Sequence, residues 1–150
     1  MKKIILTFSL AICFIAFANA QDYKTGVGLR LGYYNGITLK HFISNKAALE
    51  GLLYTRWSGF AITGLYEIHN QAFDVERLNW YYGGGAHIGF FGSNYGGGSG
   101  TFVGIDGILG LEYNIKEVPI NLSLDWKPAF DFGYSHFFGD GVALSIRYIF

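Results

Sequence analysis

Apolar and polar residues alternate through most of this chain. In the last ten positions Val142, Leu144, Ile146, Tyr148 and Phe150 share one parity, and Gly141, Ala143, Ser145, Arg147 and Ile149 share the other. Successive side chains of an extended strand point to opposite sides, so the pattern predicts a strand with one apolar and one largely polar face. The same division recurs at Ile120, Leu122, Leu124 and Trp126 against Asn121, Ser123, Asp125 and Lys127. It recurs again at Val103, Ile105, Leu109, Leu111, Tyr113 and Ile115 against Gly104, Asp106, Gly110, Glu112 and Asn114.

Five further segments follow the rule. Leu78 to Phe91 sets Trp80, Tyr82, Ala86, Ile88 and Phe90 against Tyr81, Gly83, Gly85, His87 and Gly89. Phe60 to His69 offers Ile62, Tyr66 and Ile68 as its apolar set, and Ala47 to Trp57 offers Leu49, Leu53 and Trp57. Gly36 to Ile43 and Thr25 to Tyr34 complete eight segments, the last with Val27, Leu29, Leu31 and Tyr33 opposite Gly26, Gly28, Arg30 and Gly32. An even number suits a barrel of antiparallel strands. Most segments bracket the roughly 9–11 residues that cross a bilayer at a strong tilt, and exceed the roughly 5–6 usual in soluble sheets. A soluble sandwich would need a second layer over each apolar face, and no segment has the helical period to supply one. Closure removes the open edges that lipid cannot satisfy. The expected fold is therefore all-β, an eight-stranded antiparallel up-and-down transmembrane β-barrel.

The polar parity then has to point inward. It carries Arg30, Lys40, Arg56, Lys127 and Arg147 together with Glu50, Glu67, Asp106, Glu112 and Asp125, five basic against five acidic groups. A narrow interior demands such a balance, because an unpaired buried charge costs several kcal/mol. These ten residues are the expected interior charge network. No strand places one of them on the apolar parity, where a basic group at a bilayer midplane costs about 2–4 kcal/mol. Gly83, Gly85 and Gly89 beside Gly104 and Gly110 would leave room for Tyr54, Tyr81 and Arg56, giving a filled bore rather than an open channel.

Composition sharpens this picture. The chain is 51% hydrophobic and 19% aromatic, with 22 glycines and only two prolines, and has no net charge. No basic patch invites nucleic acid. Met1 to Ala20 combines Lys2 and Lys3, an apolar run from Ile4 to Phe17, and Ala18-Asn19-Ala20, the three parts of a cleavable signal peptide. The expected organisation is residues 1–20 as signal and 21–150 as barrel. Cys13 falls in the signal and follows Ile12, which argues against a lipid anchor and leaves the secreted part without a thiol.

The whole-chain pattern, the signal and the strand Arg147-Tyr148-Ile149-Phe150 resemble the small outer-membrane barrels of the OmpA and OmpX type, and the short glycine- and tyrosine-rich barrels of Bacteroidetes. The resemblance implies a multi-pass location in the outer membrane of a Gram-negative bacterium, with outer-membrane lipids as surroundings. It also implies assembly-machinery recognition through Phe150 and both termini in the periplasm. Outer connections then fall near Tyr34-Asn35-Gly36, Ser58-Gly59, Gly92 to Gly100 and Asp131 to Asp140, and inner turns at Ser44 to Lys46, Asn70 to Arg77 and Lys116 to Pro119. Asn35-Gly36 suits a tight hairpin turn. The two long loops offer Tyr95, Tyr134, His136, Phe137 and Phe138 as candidate contacts for an extracellular partner; the third is flexible by composition, and for the aromatic fourth an interfacial aromatic belt is the blander and favoured reading.

Candidate chemistry is sparse. Barrel lipid hydrolases place a His and a Ser two apart on one strand face, since the base must reach the hydroxyl. No H-x-S spacing exists here, as Ser135 and His136 are adjacent and His41 has Ile43 two residues on. A loop grouping of Ser135, His136 and Asp140 is the residual enzymatic alternative, and a gated narrow channel is another. Glu67, His69 and His87 share the inward parity, but the two histidines fall roughly 25–30 Å apart at 3.3 Å per residue, too far for one ion. Gly26-x-Gly28 and Gly96 to Gly100 lack the helix start that a phosphate loop requires. The expectation is a non-enzymatic barrel with a structural or surface-interaction role, without cofactor or metal.

Overall fold

A computed structural model describes residues 23–56, 59–92, 100–133, 136–139 and 141–150. The signal segment with Cys13, and Trp57, Tyr95, Tyr134, Ser135 and Asp140, lie outside the described residues. Ten strands are formed: β1 (Thr25–Gly32), β2 (Gly36–Phe42), β3 (Ala47–Arg56), β4 (Gly59–Gln71), β5 (Leu78–Phe91), β6 (Gly100–Asn114), β7 (Ile120–Trp126), β8 (Ala129–Asp131), β9 (His136–Phe138) and β10 (Val142–Ile149). Neighbours in sequence pair antiparallel from β1 to β7, β7 pairs with β10, and β10 returns to β1 with Leu29 opposite Ile146. The sheet closes on itself.

Ten strands make eight staves because two are interrupted. Along β6, Leu109 faces Trp126 and Asp106 faces Ala129, three steps on each side, so β7 and β8 are one strand in continuous register. Pro128 interrupts it: proline has no N–H for the ladder, yet its carbonyl still accepts from Gly107 N at 2.9 Å. From β10 to β9 the register slips. Trp126 faces Val142 and Ala129 faces Phe138, three steps against four, a one-residue register slip of the β-bulge kind. The chain expected to leave the wall at Asp131 therefore continues upward as a β8–β9 hairpin. Pro128 and the glycines read as strand terminators in sequence, but pairing of β8 with both β6 and β9 keeps the stave extended.

Burial alternates with parity as a closed sheet requires. Leu29, Leu39, Leu53, Ile62, Ile105, Leu124 and Leu144 are exposed on the outside, while alternate residues are buried within. The interior is not uniformly polar, however. Leu52, Tyr54, Ala61, Leu65, Tyr81, Phe102 and Ile108 form an apolar core against β3 to β6, so ionic groups share the bore with a packed hydrophobic cluster. A strict polar-inside reading finds Tyr54 and Tyr81 but misses the other five, which gain the same burial free energy as any core.

Two glycine roles differ from expectation. Neither Asn35 nor Gly36 has the positive φ that a two-residue hairpin turn needs; the turn is Tyr33 to Asn35, and the Asn35 side chain accepts from Gly32 N at 3.1 Å. Gly36 is required instead by the neighbouring strand, since a Cβ there would sit 2.1 Å from the Leu53 carbonyl oxygen. Inward Gly89 makes room for the ring of Phe102 and Gly110 for Tyr81, whereas Gly83 and Gly85 face the backbone of β4 rather than large side chains.

Candidate functional site

All ten sequence-assigned ionic residues are buried inside the barrel. They separate into two groups along its axis. Nearest the end where β1 starts and β10 finishes, here the terminal end, Lys40 Nζ lies 2.8 Å from Glu67, 3.5 Å from Glu112 and 3.6 Å from Glu50. Arg147 uses every side of its guanidinium. It pairs with Glu50, donates from Nε to Thr38 at 3.0 Å, and donates from Nη1 to Asn121 at 3.0 Å and Ser123 at 2.7 Å. Thr38 in turn donates to Glu50. A planar fork can hold four partners on three strands at once, which a lysine ammonium cannot.

The second group lies toward the β8–β9 hairpin. Arg30 grips Asp125 with both terminal nitrogens, one at 2.6 Å, and Lys127 pairs with Asp106. Arg56 pairs with Asp131 at 3.0 Å. Asp131 was expected in an outer loop. The continuous β7–β8 register turns it inward instead, fully buried, so among the described residues the interior holds six carboxylates against the five cations named above. Two buried histidines, His69 and His87, complete the set.

Each histidine bridges two carboxylates. His69 places Nε2 at 3.0 Å from Glu67 and Nδ1 at 3.1 Å from Glu112; His87 places Nδ1 at 2.7 Å from Asp106 and Nε2 at 2.8 Å from Asp131. Their mutual distance is shorter than the sequence implies. His69 faces Tyr81, six residues from His87 along β5, which is about 20 Å at strand rise. Among the described residues no group of three or more His, Cys, Asp or Glu is arranged to hold a metal ion. Tyr81 joins the two groups: its hydroxyl donates to Asp125 at 3.1 Å, its ring lies 4.0 Å from Lys40 Nζ, and His69 stacks on it at 4.9 Å.

Asp131 offers a direct test of the register. Asp131→Asn keeps the shape but removes the carboxylate that Arg56 and His87 share, and the expected cost is about 3 kcal/mol, as for breaking a buried pair. Urea unfolding of the folded barrel measures it. A loop aspartate would change the midpoint hardly at all.

Of the candidate loop contacts, Phe137 is described and is two-thirds exposed beyond the wall, while β9 carries His136 and Phe138 in its backbone. At the terminal end a cavity of about 620 Å³ opens between the strand ends, with Tyr23, Phe42, His69 and Glu112 among its lining. Tyr23 donates to Glu112 at 3.1 Å across it. Nothing in the alternation pattern signals this vestibule, because it arises where β4, β5 and β6 outrun the shorter strands.

Fold and interior together define the class: a closed eight-stranded antiparallel β-barrel, of the architecture seen in OmpA- and OmpX-type barrels, with ionic and apolar side chains filling its bore. No protein-family model, curated protein or solved structure matches the chain.

Proposed function

We propose that this chain is an integral outer-membrane β-barrel with a structural or surface-interaction role and no enzymatic activity. The observation that carries the reading is the inversion of ordinary burial. The outward face is a continuous band of Leu, Ile, Val, Phe, Tyr and Trp, while the charged residues of the described strands, with Lys127 beside them, lie inside. Water-soluble monomers rarely expose contiguous apolar patches of more than a few hundred Å². A bilayer makes the same surface favourable and makes strand closure obligatory. In this reading the terminal end faces the periplasm, the β8–β9 hairpin faces outward, and lipids and the barrel-assembly machinery are the partners along the wall and at Phe150. The filled bore supports a scaffold or recognition role over passive permeation. Phe130, Phe132 and Phe137 on and beside the hairpin support contact at the membrane surface.

Refolding separates this from a soluble domain. The protein is expected to require detergent or lipid, to give strand-rich circular dichroism, and to migrate differently on gels before and after boiling. A monomer that stays folded and soluble without detergent would overturn the reading.

A further inference from the structure

The terminal vestibule has a chemistry of its own. Its volume of about 620 Å³ falls within the roughly 300–1,000 Å³ of small-molecule sites. Strand register builds one wall as a row, with Gln71 of β4 opposite Asn79 of β5, and Asn79 opposite Glu112 of β6. Asn114 follows on the same inward face, and its Oδ1 is already occupied by Asn121 Nδ2 at 2.7 Å, leaving its own amide N–H groups to donate. Phe42 lines the same cavity, set edge-to-face on Tyr23 at 5.1 Å, and Lys46 stands at the rim in the β2–β3 turn. At the floor, Glu112 is almost wholly buried. Its Oε2 accepts from Tyr23 and its Oε1 lies 3.1 Å from His69 Nδ1, so the carboxylate closes the floor from within.

We propose that this vestibule binds an acetamido sugar that carries a carboxylate. A carboxamide both donates and accepts, which is the complement of an acetamido N–H and C=O. Phe42 offers an aromatic wall to the apolar face of a sugar ring, and Lys46 meets an acid group at the mouth. Other classes fit worse. A purely anionic ligand would offer no donor to the carboxamide oxygens, and an apolar one would leave the carboxamides unpaired, at a cost of about 1–3 kcal/mol for each group it buries. Two sources share the favoured chemistry: the muramic-acid-containing strands of the cell wall, and sialic-acid-type glycans. The orientation proposed above favours the first, but the binding chemistry holds for either.

The test titrates the whole protein, refolded in a zwitterionic detergent without a sugar headgroup, and follows the side-chain amide signals of Gln71 and Asn79 by NMR. The probes are the N-acetylglucosaminyl-N-acetylmuramic acid disaccharide and N-acetylneuraminic acid, with chitobiose and maltose as controls. At least one acid should give saturating shifts with a Kd of about 1 mM or tighter, and which one binds identifies the source. Lys46→Gln, in a turn outside the strands, should weaken the acid about tenfold and leave chitobiose unchanged, the loss of one ionic contact worth ~1.4 kcal/mol. Asn79→Leu should weaken all acetamido ligands. No saturating shift with either acid overturns the proposal, as does maltose binding equally well. Chitobiose binding as tightly as the acids overturns the role of the carboxylate. The wild-type titration decides even if a variant fails to fold, and a failure of the membrane reading would appear separately, as folding without detergent.

Discussion

Replacing Arg147 by leucine is expected to destabilise the barrel by about 3–5 kcal/mol, the largest effect of any single interior change, because it leaves Glu50 buried without its closest cation. Arg147 is fully buried and ties β10 to β2, β3 and β7 through Thr38, Glu50, Asn121 and Ser123. Lys40 stands 3.6 Å from Glu50 but is already shared with Glu67 and Glu112, so it cannot take over. Urea titration of the folded protein in lipid vesicles, read by the gel shift of unboiled samples, gives the midpoint. The companion variant Arg147→Leu with Glu50→Leu should recover most of the loss, since an ion pair replaced on both sides by apolar groups of similar volume is often close to neutral. A single variant costing under about 1 kcal/mol, in the range of a surface pair, would show that the buried network does not hold the staves together.

The second large effect lies on the outer wall. Leu124 is 54% exposed and sits between Leu111 and Leu144 in register, at the middle of the band. In a bilayer Leu124→Arg is expected to cost about 2–4 kcal/mol at the midplane, while Val27→Arg, close to the terminal end of β1 and opposite Tyr148, costs about 0–1. On a water-facing surface both would fall within about ±0.5 kcal/mol. The depth gradient distinguishes lipid from solvent more sharply than either value alone. Equal and negligible costs at both positions would remove the membrane from the account.

Much of this architecture is legible in residue order. Arg147 between Ile146 and Tyr148, or Asp125 between Leu124 and Trp126, declares its face because strand periodicity is two and no longer-range information is needed. The same rule failed at Asp131. A proline three residues before it and glycines after it signal a loop, and only pairing of Ala129–Asp131 with both β6 and β9 keeps the strand extended and turns the carboxylate inward. Phe102 and Ile108 were illegible for another reason: they share the inward parity with glycines and acids, and a side chain's partner across a bore depends on curvature rather than on alternation. Asn35-Gly36 misled in the opposite way. Its turn preference is real, but the close approach of the Leu53 carbonyl decides why a glycine stands there.

By itself, the sequence determined the number of staves, the face of nearly every strand residue and the confinement of charge to one side, since each follows from local alternation and the cost of placing charge in an apolar setting. The tertiary structure alone decided who meets whom: the four partners of Arg147, the two histidines each spanning two carboxylates, Asp131 against Arg56, and the vestibule beyond the shorter strands. Those depend on register, shear and closure, which set distances across the barrel. No periodicity along one strand can encode them.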